Sequence, residues 1–392
     1  VSLKDRSQGP PSKHPKGWEP GVTWNGDTGE VSSGPLEDQP DDALWQEIVQ
    51  DFGVTKAVRI IPGSIQVRAW ETHDGRKLRY YRARLEPASV DDETRADIEE
   101  LCKMVERRRP LAKPIPAGGG ERALVVALSD WQVGKAGEVG GGTPEFLERL
   151  LATYDRLELH AKEVRKRLGV STVYLVGLGD LIENCDGHYA AQTFNVDLDR
   201  REQCRLVRRL ILQLVDRFVA LGFEVVLGAV PGNHGENRRN GKAFTNVFTD
   251  NDDLATVEQV AEILEHNPER YANVYVPTGA IAEDHTMTLD VCGVAVGFAH
   301  GHQIRANQAP LWWAKQAHGK QPIGSADILV TGHYHHLQIS ESSGRTHMQA
   351  PAMDGGSRWW TAQTGASAPS GMLTFLAGLD CGPRGWSDLA IL

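Results

Sequence analysis

The stretch Val173-Tyr174-Leu175-Val176-Gly177-Leu178-Gly179-Asp180-Leu181-Ile182-Glu183-Asn184 decides the reading of this chain. A short apolar run bounded by glycine predicts a buried strand over Val173–Leu178. The strand stops at Gly179 and hands over an aspartate, with a glutamate three positions on. The same event occurs four more times. Ala123–Leu128 runs into Asp130-Trp131-Gln132, Glu224–Val230 into Gly232-Asn233-His234, Val294–Ala299 into His300-Gly301-His302, and Asp327–Thr331 into Gly332-His333-Tyr334-His335. Helix-length amphipathic segments, Pro144–Leu168 and Asp199–Leu221, lie between the early strands, so an α/β layered domain is expected from Glu121 onward. Ligands of open α/β sheets gather at the carboxyl ends of the strands. Five polar tips in order therefore predict one crevice lined with metal-competent groups.

The rest of the chain bounds this picture. Its 392 residues are 40% hydrophobic and 24% charged, ordinary values for a globular protein, and they suffice for one large domain with a smaller attachment. No apolar run reaches the roughly 18 residues of a membrane span, so neither secretion nor membrane anchoring is expected. Five widely spaced cysteines without a CxxC pair suit reduced thiols in the cytoplasm. A net charge of -10 argues against a protein coated in positive charge for nucleic acid, while leaving room for a local basic face.

Before Glu121 the composition changes. Residues 1–16 read as a flexible arm and residues 17–87 as a small α+β module. That module carries a turn signal at Trp24-Asn25-Gly26-Asp27, a helix over Asp41–Phe52 and a hairpin around His73-Asp74-Gly75. Between Lys56 and Arg84 stand eight Lys/Arg against Glu71 and Asp74, a stretch suited to nucleic-acid binding. Residues 88–120 read as a helix, Ala88–Arg109, and a Pro/Gly linker; the catalytic domain is then 121–392.

In order and spacing, the five tips over about residues 121–350 resemble the calcineurin-like metallophosphoesterases, whose pattern is Asp-x-His, Gly-Asp-x-x-(Asp/Glu), Gly-Asn-His-(Asp/Glu), a lone His and Gly-His-x-His. The resemblance implies two mixed β-sheets flanked by helices, and two divalent metal ions. One ion would be held by Asp130, Gln132, Asp180 and His335, the other by Asp180, Asn233, His300 and His333, with Asp180 bridging. Imidazole and oxygen donors without cysteine suit manganese, iron or zinc, and the resemblance favours manganese. Ions roughly 3.5–4 Å apart would activate a shared hydroxide and neutralise charge developing on phosphorus. His234 would stand beside the scissile phosphate as a proton donor, oriented by Glu183. His302 and His336, neighbours of the ligands, and Asp186, His188, Tyr189 and Gln192, in the loop after Asp180, are the candidates for substrate contact.

Two positions depart from the pattern. Gln132 stands where histidine is usual, and an amide oxygen is a weaker ligand than imidazole. Gly235 displaces an acidic residue to Glu236, which leaves open what supports Asn233. The catalytic part looks most like the SbcD-type repair-exonuclease branch, and similar chains with an N-terminal extension are common in phages. The implied function is hydrolysis of phosphodiesters, foremost as a DNA nuclease. A phosphodiesterase or phosphatase for small nucleotides is the alternative, and a non-catalytic DNA-binding protein on the same fold is a further one. Trp312-Trp313 and Trp359-Trp360 are candidates for stacking on bases. Relatives in the repair branch dimerise, so the resemblance allows a homodimer, although no segment marks an interface.

Overall fold

The computed structural model describes residues 14, 17–25, 28–36, 38–52, 58–71, 77–87, 121–137, 141–189, 192–239, 241–243, 250–356, 361 and 367–392. Residues 1–89 with 190–195 form one compact unit, and residues 90–189 with 196–392 another. The arm apart from His14, the turns at Gly26-Asp27 and His73-Asp74-Gly75, the segment 88–120, and Trp359-Trp360 lie outside the described residues.

The N-terminal unit is an antiparallel sheet of β1 (Gly21–Asn25), β2 (Thr28–Ser32), β5 (Lys77–Pro87) and β3 (Val58–Ile60), with β4 (Gln66–Glu71) also paired to β5. Helix α1 (Asp42–Asp51) starts where Asp41 accepts the Leu44 N–H at 2.8 Å, the ordinary way a helix start satisfies a free donor. Trp45 and Val49 of this helix pack with Val31, Tyr81, Ala83, Leu85 and Phe194. Residues alternate along β5, so Arg82 and Arg84 point to the face opposite Ala83 and Leu85. Part of that basic face is neutralised locally: Arg59 pairs with Glu86, and Arg82 with Glu30 at 3.2 Å.

In the larger unit, β6 (Ala123–Leu128) is the centre. All six of its residues are buried, because the strand is covered on both faces. Leu124, Val126 and Leu128 face helices α2 (Thr143–Leu168) and α3 (Arg200–Ala220), packing with Leu147, Leu150, Leu210 and Phe218. Ala123, Val125 and Ala127, with Phe375 of the neighbouring strand, face a second sheet, against Val296, Phe298, Val330 and Met348. Truncating either Phe298 or Phe375 to alanine would cost roughly 3–5 kcal/mol.

The first sheet has the order β11-β8-β7-β6-β17-β18, with β7 (Thr172–Gly177), β8 (Glu224–Ala229) and β11 (Val274–Tyr275) parallel to β6, and β17 (Leu373–Ala377) antiparallel to it. Strand β18 (Trp386–Ile391) closes the edge. The second sheet runs β12-β13-β14-β16-β15. In it β13 (Val294–Ala299), β14 (Ile328–Thr331) and β16 (Arg345–Gln349) are parallel, while β12 (Thr286–Val291) and β15 (Gln338–Ser342) are antiparallel edges. Helix α5 (Ala309–His318) covers the outer face of this sheet through Trp313, which is buried with Leu329 and Ile323 and donates its indole N–H to the Ile323 carbonyl at 2.7 Å. The expected two mixed sheets flanked by helices are thus present. Trp313 belongs to the core and offers no stacking surface; its indole is the glue between α5 and β14. Trp312 packs partly against the same cluster.

Helix α3 begins at Asp199, which exchanges hydrogen bonds with Glu202 in a reciprocal cap, and α2 ends at Gly169 in the left-handed region. Among the described residues no helix is long and apolar enough to cross a membrane. The described cysteines, Cys185, Cys204, Cys292 and Cys381, are free thiols; Cys102 lies outside the described residues.

Candidate metal centre

The parallel strands β6, β7 and β8 of one sheet, and β13 and β14 of the other, bring their carboxyl ends together. The loops that follow them are hydrogen-bonded to one another. Asp130 N–H donates to the Gly179 carbonyl at 3.2 Å, Gln132 N–H to the Asp180 carbonyl at 2.9 Å and Gly332 N–H to the His300 carbonyl at 2.8 Å, while Gly232 N–H donates to the Asp253 carboxylate at 3.1 Å. Two glycines permit the closest approach. A Cβ at Gly179 would lie 2.4 Å from the Gly232 nitrogen, and one at Gly232 would lie 2.1 Å from the Asp180 nitrogen.

Five side chains of the centre project from left-handed backbone: Asp130 at φ 50°, Gln132 at 44°, Asp180 at 52°, His333 at 71° and His335 at 58°. Non-glycine residues held there cost roughly 1–3 kcal/mol each, and such strain clusters at functional sites. Neighbouring bonds hold the backbone in place.

Asp180, His300 and His333 each place one donor atom within 4.8 Å of the other two. His300 Nε2 is 3.0 Å from Asp180 Oδ2 and 3.1 Å from Asn233 Oδ1, while its Nδ1 meets the Leu178 carbonyl at 2.7 Å. Four of the expected ligands therefore converge. Burial alone would push His300 down, but the Asp180 carboxylate beside it raises it to about 9. A proton thus sits among the same donors that a cation would use. Burial holds His333 down to about 4, helped by the positive charge of His300, so it offers a neutral imidazole lone pair. The donor set is nitrogen and oxygen without thiolate, and it fits a borderline divalent ion.

The other side is built differently. Asp130 is buried, with Oδ2 accepting from Ser129 Oγ and from the His333 N–H at 3.0 Å, and Oδ1 3.2 Å from His335 Nε2. His335 Nδ1 lies 3.4 Å from Asp354 Oδ1. Against the effect of burial, Asp354 and Asp130 raise His335 to about 10. Gln132 does not turn an unengaged oxygen to this group: its Oε1 accepts from the Lys135 ammonium at 2.6 Å, and Lys135 is also paired with Asp354.

His234 lies between Glu183 and Asp180. Its Nδ1 is 2.9 Å from the Glu183 carbonyl and 3.4 Å from Glu183 Oε2, and its Nε2 is 4.0 Å from Asp180 Oδ2. Burial would lower it, yet the Glu183 and Asp180 carboxylates raise it to about 9, so it carries a proton at neutral pH. Tyr189 donates its hydroxyl to Glu183 Oε1 at 2.7 Å, and the His188 ring stacks on His234 with centroids 4.6 Å apart. Tyr189 and His188, from the loop after Asp180, thus touch Glu183 and His234. Gln192 is buried in the segment that groups with the N-terminal unit. His302 sits 5.5 Å, centroid to centroid, from His300, and is held neutral to about 3 by burial and that neighbour. His336 turns aside: its ring is engaged by the Tyr334 carbonyl and the Gln349 side chain.

Several residues of the centre carried no motif. Asp253, at the start of α4 (Asp252–Glu265), accepts the N–H groups of Asp180 at 2.8 Å, Leu181 at 2.9 Å and Gly232 at 3.1 Å, tying two ligand loops to one carboxylate. Asn251 donates to the Gly232 carbonyl at 2.8 Å. A Cβ at Gly235 would meet Asn251 Oδ1 at 2.4 Å and Asp253 Oδ2 at 2.8 Å. Asn251 and Asp253 thus fill the space into which a side chain at position 235 would project, and both bond to the backbone of Gly232, next to Asn233.

No protein-family model and no curated protein matches the chain. Solved structures similar to it include a zinc complex of Vps29 from Entamoeba histolytica, at 14% identity over 68% of this chain and 98% of that one, with a TM-score of 0.29. An archaeal phosphodiesterase matches at 12% identity over 69% and 99%, TM-score 0.29. A conserved Streptococcus pneumoniae protein described as a predicted phosphoesterase matches at 12% over 65% and 83%, TM-score 0.26.

Proposed function

We propose that this chain is a metal-dependent phosphoesterase that hydrolyses phosphodiesters, with DNA as its foremost substrate. The observation that carries the proposal is the meeting of Asp180, His300, Asn233 and His333 beside a protonated His234. A bound divalent ion, manganese foremost and iron or zinc also suited, would supply an activated water and neutralise charge on phosphorus. Asp180, Asn233, His300 and His333 would hold it. Asp180 also accepts the His234 N–H at 2.7 Å, so the ligand and the acid are fixed to each other. His234, with Nδ1 anchored on Glu183, presents Nε2 as the donor for the leaving oxygen. Stacked His188 and the Tyr189–Glu183 bond keep that ring from rotating.

Arg68 and Arg84, on one face of the N-terminal sheet, remain exposed, which supports a backbone-binding role for that module and hence a nuclease. The pairing of Arg59 and Arg82 with glutamates weakens that face and favours the second reading, a phosphodiesterase for small nucleotides. Labelled single- and double-stranded DNA and bis(p-nitrophenyl) phosphate, each with manganese, test both. Cleavage of the small ester alone selects the second reading, and no turnover of either above an Asp180→Ala control defeats both.

A further inference from the structure

The two sides of the centre differ in what already holds their oxygens. Around His300 the donors of Asp180, Asn233 and His333 face one another. Around His335 a side-chain cation is built in. Lys135 Nζ donates to Gln132 Oε1 at 2.6 Å and to Asp354, and Asp354 in turn meets His335 Nδ1, whose other nitrogen meets Asp130. Among the described residues, the trio Asp180–His300–His333 is the one group of His, Cys, Asp or Glu donors drawn together closely enough for an ion.

Local backbone makes the Lys135 position a constructed one. Lys135 N–H closes a turn onto the Gln132 carbonyl at 2.9 Å, and Gln132 and Gly134 take left-handed φ of 44° and 93°. A Cβ at Gly134 would strike Gln203 at 2.6 Å, so the turn sits tightly on the start of α3. Lys135 is three-quarters shielded and Asp354 nearly fully buried, with side-chain exposures of 22% and 5%. A shielded ammonium between an amide oxygen and a carboxylate occupies Gln132 Oε1, one of the acceptors that a second ion would need, and it repels that ion.

Resting on the metal-dependent reading above, we infer that this is a single-ion centre in which the Lys135 ammonium takes the place of the second cation. Asp180, Asn233, His300 and His333 hold the ion. Lys135, Gln132, Asp354 and His335 form a fixed positive partner beside Asp130. Lys135 acts as a positioning residue that sets the number of ions.

The test is a count of manganese. Full-length chain is stripped with chelator and reloaded with manganese alone. Bound ions are then measured by mass spectrometry of the metal and by electron paramagnetic resonance, which separates isolated from exchange-coupled ions. The expected result is one isolated ion per chain in the wild type, and two in Lys135→Met or in the polar Lys135→Gln. Two ions in the wild type overturn the inference while leaving the phosphoesterase reading intact. So does a count of one in a Lys135 variant whose circular dichroism is native. No bound manganese in the wild type defeats the phosphoesterase reading itself. The wild-type count needs no variant, so a misfolded substitution does not spare the inference.

Discussion

The His300 side and the His335 side of the centre start from the same kind of strand tip and end differently. On the first, a carboxylate, an amide oxygen and two imidazoles converge, and the loops behind them are locked by Asp253. On the second, carboxylate and imidazole are linked by Asp354 to an internal lysine. The difference teaches that a ligand motif specifies direction, whereas its availability to an ion is decided by neighbours from elsewhere in the chain.

Substitutions can break or sharpen that contrast. Asp180→Ala removes the carboxylate shared by the ion site and the acid, and is expected to lower hydrolysis about a thousandfold or more. Initial rates on bis(p-nitrophenyl) phosphate decide, and a loss no greater than that of Asp354→Asn would erase the asymmetry. His234→Asn is expected to cut turnover about 100- to 1,000-fold with bound manganese unchanged, because it deletes a donor and no ligand. Parallel loss of manganese in that variant would reassign the residue. Asp253→Ala leaves three backbone N–H groups without their acceptor, for an expected loss of about 2–4 kcal/mol in urea unfolding. An unchanged midpoint would show that the loops hold themselves. Asp354→Asn loosens Lys135 and His335 at once, and a fall of about tenfold in rate is expected.

The last effect is on melting temperature in chain stripped of metal, which is expected to fall on either side of its best pH. His234, His300 and His335 keep protons to about 9, 9 and 10, above their ordinary value of 6.5. The stability they contribute is complete below about pH 6.5 and is lost as pH rises through 9 to 10. His188, His302 and His333 are held down to about 3, 3 and 4, so the folded chain binds fewer protons than the unfolded one on acidification and loses stability below about 6.5. Stability is expected to peak near pH 6.5. Manganese is expected to lift the alkaline side, where the ion replaces the proton at His300. A melting curve flat from pH 6.5 to 10 would contradict the carboxylate–histidine pairs.

The layered architecture was legible because buried strands leave a local signature. Ala123–Leu128 and Val294–Ala299 were readable to the residue, and the start of α3 was marked by its cap at Asp199. The polar groups at the strand tips were legible for the same reason: each follows its strand directly. Asp253, Asp354 and Lys135 were not. Asp253 enters from a helix start that follows Asn233 by a loop, and Asp354 from the turn beyond β16, so their roles exist only once distant segments are folded together. Asn251-Asp252-Asp253 did carry a signal, a run of capping residues before a helix. The side on which Trp313 falls was not legible either, because an indole early in a helix reads alike whether it faces solvent or β14.

Left-handed backbone at Asp130, Gln132, Asp180, His333 and His335 has a consequence for the history of such chains. Glycine relaxes each of these positions, so selection for durability alone and selection for turnover pull them in opposite directions.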